Sequence, residues 1–246
     1  MEFLDLINIA GQAMELENPT SVAKIVTAGK YLGLREGSRV LDFGCGFAEP
    51  LVIWAEEFGI TAVGVEVREY ACTRARRKVA ARGLADRIDI IRAAGEEYST
   101  DGQQFDAVTC LGATFIWGGY QQTIHAMSRA LRTGGRLGIG EQYWLSSSAP
   151  PIYVQHESST YSEEELLQFT RTEGFDLERI VRASHEDWDA YEGGRWHGLI
   201  RWLEENPHHA DRAQVIERLR SMQEEYLRYG REYLGWAIYV LAPSVI

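Results

Sequence analysis

Short apolar runs take turns along this chain with stretches whose apolar residues recur every three or four positions. Val40-Leu41-Asp42-Phe43, stopped by Gly44, predicts a buried strand. Leu51, Trp54, Ala55 and Phe58 fall at helical spacing, with Pro50 in the first turn and Gly59 beyond the end. Thr61 to Val67 returns to strand composition, and Ala71 to Arg82, stopped by Gly83, is a helix. Ile88–Ile91, Phe105–Cys110 and Arg136–Glu141 read as further strands. Tyr120 to Leu131 reads as a helix closed by Gly134-Gly135.

The rhythm changes after Trp144. Ser146 to Pro151 is a loop or hinge, and Ser162-Glu163-Glu164-Glu165 has the form of a capping box opening a helix to about Glu173. Phe175 to Val181 alternates as a strand. From His185 to Arg231 the chain is helical, charged and rich in aromatics, with a break at Pro207, and Tyr233 to Leu241 is a last apolar strand.

Strand and helix alternating through short connections predict an α/β fold: a doubly wound, mostly parallel seven-stranded sheet with a helical insertion before the last strand. The domain boundaries follow. Residues 1–184 and 232–246 make the Rossmann-like domain, with helices in 1–36, and residues 185–231 form the insertion, placed to act as a lid over the carboxyl ends of the strands.

Composition narrows the partners. The net charge of -11 argues against a surface that tracks phosphates, so the expected partner is a small molecule and not a nucleic acid. Cys45, Cys72 and Cys110 are scattered, with no CxxC neighbour, which indicates neither a disulfide framework nor a structural zinc. His197, His208 and His209 match no ligand spacing, so no metal is expected. An acidic start in place of a basic leader, and the lack of a bilayer-length apolar run, predict a cytoplasmic protein without a membrane partner. Nothing in the pattern fixes an oligomeric state.

The unit from Val40 to Glu66 carries the chemistry. Glycines at 44 and 46 let the backbone turn sharply and approach a nucleotide, and Glu66, about 20 residues beyond the loop at the end of the second strand, can accept from both ribose hydroxyls. A dinucleotide would require a small residue where Glu49 stands, and its pyrophosphate would be repelled there. S-adenosylmethionine carries a sulfonium and no phosphate, so Asp42, Glu49 and Glu66 are compatible with it.

Val40-Leu41-Asp42-Phe43-Gly44-Cys45-Gly46 resembles motif I of the class I methyltransferases. Phe105-Asp106-Ala107-Val108 is similar to their fourth strand, and Leu131-Arg132-Thr133-Gly134-Gly135 to the turn before their fifth. Cys110 to Thr114, Gly140 to Trp144 and Tyr229 to Trp236 resemble a bacterial subgroup of small methyltransferases, so the likeness covers nearly the whole chain. It implies an S-adenosylmethionine-dependent methyltransferase acting on a small-molecule acceptor. The cofactor would lie against Asp42, Gly44, Cys45, Gly46, Glu66, Val67, Gly95, Glu96, Cys110 and Leu111. Two departures stand out: Ala48 replaces the third loop glycine, and Ala94 replaces an Asp that binds adenine, with Glu96 as the substitute. A protein that binds the cofactor or S-adenosylhomocysteine for sensing or non-methylating chemistry is the alternative.

Methyl transfer is an in-line displacement that needs alignment and exclusion of water, with a base only for a protonated nucleophile. Glu141, at the end of the fifth strand, is the first candidate for a base or an anchor, and His197 the second. Trp117, Tyr143 and Trp144 follow strand ends and are candidates for the acceptor pocket. Trp188 and Trp196 either line that pocket or form the core of the insertion. Cys45 has no base beside it and reads as a small filler.

Overall fold

The apolar runs become the strands β1 (Arg39–Phe43), β2 (Thr61–Glu66), β3 (Ile88–Arg92), β4 (Phe105–Leu111), β5 (Leu131–Trp144), β6 (Phe175–Arg182) and β7 (Leu234–Pro243). The computed structural model describes residues 1–245. One sheet holds all seven strands in the order β3-β2-β1-β4-β5-β7-β6. Neighbours from β3 to β5 are parallel, whereas β7 inserts antiparallel between β5 and β6. The expected mostly parallel, seven-stranded Rossmann-like sheet is the fold observed.

Helices cover both faces. On one lie α2 (Val22–Tyr31), α3 (Glu49–Phe58) and α4 (Glu69–Ala81), whose Ile25, Trp54 and Ala75 are fully buried. The Trp54 indole N–H donates to the Ile25 carbonyl at 2.7 Å, so this large side chain enters the core with its one polar group satisfied. On the other face α5 (Tyr120–Ser128) and α7 (Glu163–Thr172) bury Ile124, Met127 and Leu166. A short helix α6 (Pro151–His156) follows the Ser/Pro loop. The capping box of Ser162 is present: its hydroxyl accepts from the Glu165 N–H, and Glu165 accepts from the Ser162 N–H.

Two expectations shift. The helix before β5 stops at Ser128, not Leu131, because the Phe105 N–H already donates to the Ala130 carbonyl and Leu131 pairs with Phe105. Gly134-Gly135 therefore lies inside β5. The register jumps there from Leu131 to Arg136, and Gly134 takes a left-handed backbone at φ +74° to turn the chain back into the ladder.

The segment between β6 and β7 is helical, as patterned. It forms α8 (His185–Glu205) and α9 (Arg212–Glu225), with Pro207 in the break and a π-helical turn at Tyr226–Gly230. Ser184 opens α8 with a second capping box through Asp187, which also pairs with Lys24 of α2. α1 (Phe3–Gly11) docks on α8 and α9, burying Leu6 and Ala10 against Leu199, Leu203, Val215 and Met222. The two ends of the chain thus build one helical layer beside the strand ends.

Close approach of α1 and α8 depends on Gly198. A Cβ there would run into the Ala10 carbonyl oxygen and lie 2.7 Å from that of Ile9, both rigid backbone. Gly198→Ala is expected to lower unfolding stability by roughly 1–3 kcal/mol, the scale of core overpacking. Urea denaturation read by tryptophan fluorescence checks this, and an unchanged midpoint would show that the two helices give way freely.

Candidate active site

The loop after β1 rises from the middle of the sheet, where β1 lies between β2 and β4. Gly44, Gly46 and Ala48 all take left-handed backbone, at φ +67°, +55° and +57°. Ala48 therefore keeps the conformation a glycine would supply, at the steric cost of its Cβ. The turn is held from beneath by Val65, whose carbonyl accepts from the N–H groups of Gly44 and Cys45.

Glu66 ends β2 with its carboxylate buried. One oxygen accepts from the Gly46 N–H at 3.0 Å, and the other from the Arg68 N–H at 2.8 Å and Nε at 3.0 Å. Arg68 also forks onto both oxygens of Glu17, at 3.1 and 2.9 Å, drawing the segment after α1 over the loop. A buried carboxylate (Glu66) and a half-buried one (Glu17) flank this guanidinium, which binds its proton more tightly than a free arginine despite burial.

These groups line a cavity of about 450 Å³ at the carboxyl ends of β1, β2 and β4. Of the positions expected to bind cofactor, Asp42, Gly44, Cys45, Gly46, Glu66, Val67, Gly95, Glu96 and Leu111 are brought together here. Cys110 is not: its side chain points into the core beneath, fully buried. Ala94 also lines the wall, and Glu96 is the carboxylate beside it. Glu49 lies at the same cavity paired with Lys78. Burial lifts the thiol of Cys45 well above its ordinary range, with the Asp42 carboxylate adding to the effect, so it stays an unreactive filler.

A second cavity of about 500 Å³ adjoins the first. Glu17, Gly112, Phe115, Tyr191, Arg195 and Arg218 line both. Its floor includes Glu141, which accepts hydrogen bonds from the Thr114 hydroxyl and, at 2.9 Å, from the Gln142 N–H. Burial raises the proton affinity of Glu141, and these two donors partly oppose the rise. Trp188 both lines this chamber and packs against the core, so its two readings meet there.

Other acceptor candidates lie elsewhere. Trp117 packs edge-on against Phe43, ring centroids 4.9 Å apart, while its neighbours Phe115 and Ile116 face the first cavity. Tyr143 is buried against Tyr239, and its hydroxyl accepts from Arg182. Trp144 donates to the Thr160 carbonyl at 2.9 Å. Trp196 belongs to the cluster joining α1, α8 and α9, against Tyr226, and His197 is exposed on the outer side of α8. Sequence reasoning missed Glu17, Arg68, Tyr153, Arg195 and Arg218. Arg68 alone had a local signal, standing two residues beyond Glu66.

Asp42 lies beneath the loop, accepting from the Thr109 hydroxyl at 2.7 Å. Burial pushes its carboxyl from the ordinary 3.8 up to about 7, and the Glu66 charge adds to this. Between those values the folded protein holds a proton that the unfolded chain has released, so stability falls as pH rises from about 4 to about 7. Asp42→Asn removes this contribution. Urea titrations across that range are expected to show the wild type losing stability relative to the variant, and parallel curves would overturn the assignment.

Three comparisons bear on this arrangement. A methyltransferase-domain family model matches residues 40–135, from β1 to the turn within β5. The chain is 34% identical to a SAM-dependent methyltransferase of Geobacter sulfurreducens crystallised with S-adenosyl-L-homocysteine, at TM-score 0.91 over 97% of this chain and 98% of that one. A second such enzyme, from Thiobacillus denitrificans and also in complex with S-adenosyl-L-homocysteine, is 31% identical at TM-score 0.92, covering 99% and 100% of the two chains. YjhP of Escherichia coli is 30% identical over 246 residues, 98% of this chain and 99% of that protein. The glycine loop, the acid at the end of β2 and likeness over the full length lead to one conclusion: this chain belongs to the class I S-adenosylmethionine-dependent methyltransferases.

Proposed function

We propose that the enzyme methylates a small molecule held in the second cavity, with S-adenosylmethionine in the first. The observation that carries this reading is the shared wall: two chambers of similar size meet at Gly112 and Phe115, beside the end of β4. Side chains of α8 and α9 close the second chamber, which gives residues 185–231 the part of a lid. A chamber of this volume suits a metabolite-sized guest, and the net charge of -11 disfavours a polyanion.

The residues present fit the cofactor. At Gly46 a Cβ would strike the Glu17 carboxylate, and at Gly95 it would press on Ile116 at 3.0 Å, so the cradle exists because these side chains are absent. Asp42, Glu66 and Glu96 surround the cavity with carboxylates, which suit a sulfonium and ribose hydroxyls and oppose a pyrophosphate. When bound, S-adenosylmethionine supplies a methyl group already activated by its positive sulfur. The protein is left with orientation, exclusion of water and care of the acceptor's proton. Glu141 is the group for that last task, being a half-buried carboxylate on the acceptor side with raised proton affinity.

Glu66→Ala is expected to weaken binding of S-adenosylhomocysteine by roughly 1–3 kcal/mol, the cost of leaving buried hydrogen-bonding groups unpaired. Calorimetry on a variant shown to be folded measures it, with NAD as a control that should not bind. An undiminished affinity would remove Glu66 from the cofactor site. Transfer of label from methyl-labelled S-adenosylmethionine into small molecules of a cell extract tests the overall reaction. Label appearing only in macromolecules would sink the small-molecule reading.

For Glu141, turnover should fall on acidification, since the protonated acid accepts no proton, with the midpoint above the ordinary carboxylate value of 4.5. Thr114→Val deletes a hydrogen bond that favours the ionised form and should move that midpoint to higher pH. Glu141→Gln should lower kcat by about 10²–10⁴ while leaving cofactor affinity intact. Wild-type turnover at every pH would leave catalysis to alignment alone.

A further inference from the structure

Resting on the assignment of the second cavity to the acceptor, we infer that this chamber recognises an amine cation that also carries a hydrogen-bond-accepting oxygen. Besides Glu17 on the boundary, four glutamates line it: Glu141, Glu157, Glu192 and Glu225. Only Glu192 is matched by a guanidinium, that of Arg195 at 2.7 Å. Glu141 is held by neutral donors, and Glu157 by the Gln142 amide at 2.8 Å with His156 3.8 Å away. Glu225 has no closer basic group than His156, at 3.9 Å. Glu17, on the boundary with the cofactor cavity, is already taken by Arg68.

Arg218 lines the same boundary and forms no ion pair among the described residues. Counting it and His156 as cations still leaves three carboxylates facing two basic groups, one of them charged only when protonated. Ligand atoms of His156, Glu157 and Glu225 lie within 4.8 Å of one another, which concentrates this excess at one end of the chamber. The proton affinity of Glu225 is raised there, by burial first and by the Glu157 charge second. A cation placed between them would relieve that repulsion.

Aromatic rings and two idle donors complete the recognition. Trp188 lies nearly parallel to Tyr226, with centroids 6.2 Å apart, and Tyr153 stacks on Tyr229 at 4.7 Å. Aromatic faces and carboxylates together are the surroundings that favour an ammonium group over water. Within this chamber the Tyr153 hydroxyl and the Trp188 indole N–H are both buried without a hydrogen-bond partner. Tyr153 is only 2% exposed. A buried donor left idle costs about 1–3 kcal/mol, so these two fit an oxygen that arrives with the ligand.

The test uses the full-length enzyme saturated with S-adenosylhomocysteine and a pair of probes of one shape. Choline carries a quaternary ammonium and a hydroxyl, and 3,3-dimethyl-1-butanol replaces its nitrogen by carbon and has no charge. Tryptophan fluorescence, in a chelator-containing buffer that keeps metal ions off His156 and the glutamates, reports binding beside Trp188. Choline is expected to bind at least about tenfold tighter than its neutral twin, as a partly desolvated cation–π and ionic contact requires. The double variant Glu157→Gln/Glu225→Gln should erase that preference while its affinity for S-adenosylhomocysteine stays unchanged, which also shows that it folds. Equal binding of the two probes, no binding of choline, or a preference that survives the double variant would each overturn the inference. Failure of the wild type to bind S-adenosylhomocysteine would instead overturn the cofactor reading on which it rests.

Discussion

A buried carboxylate at the end of β2 sets the terms for the rest of the site. Glu66 must be neutralised where it stands, and it is neutralised by the glycine loop on one side and Arg68 on the other. The Gly46 N–H fixes the height of the loop above the sheet. The Arg68 guanidinium, having satisfied Glu66, reaches on to Glu17 and so decides where the chain runs after α1. That run delivers Glu17 and Asn18 to the boundary between the two chambers. One desolvated charge thereby couples the glycine loop to the wall shared by the two chambers.

Much of this was written in local pattern. Buried parallel strands need continuous apolar runs, so Val40–Phe43 and Phe105–Cys110 stood out, and the 3.6-residue period with glycine stops marked α3 and α4. The glycine loop and Glu66 were legible because turn chemistry and a strand end are both local. The turn before β5 was misread because Leu131 pairs with Phe105 across the sheet before the glycines, a pairing that no nearby residue announces. Aromatic placement failed for a related reason. Trp117, Tyr143 and Trp144 do follow strand ends, but whether such a ring faces a cavity or a core is settled by distant partners such as Phe43, Tyr239 and Thr160. Glu17 and Arg218 were invisible because each reaches the site only through the docking of α1 on α8 and α9.

The second chamber illustrates how a common sheet acquires its own chemistry. Its floor comes from β5 and β7 of the sheet itself, through Glu141, Gln142 and Trp236. Its roof comes from α6, α8 and α9, outside the alternating strand–helix pattern. Charge in the roof is therefore free to vary without disturbing the glycine loop after β1.

The position of β7 has a consequence for how the protein is made. This last strand lies between β5 and β6, which touch it on either side and do not pair with each other. Until β7 is in place, β6 has no partner in the sheet and the edge of β5 stands open. β7 pairs Ala237 with Glu141 and Trp236 with Gln142, so the floor of the second chamber is completed only by that insertion. Assembly of the sheet is thus gated by a single long-range insertion, and a chain in which Leu234–Pro243 is not yet docked exposes an unpaired strand edge to its neighbours.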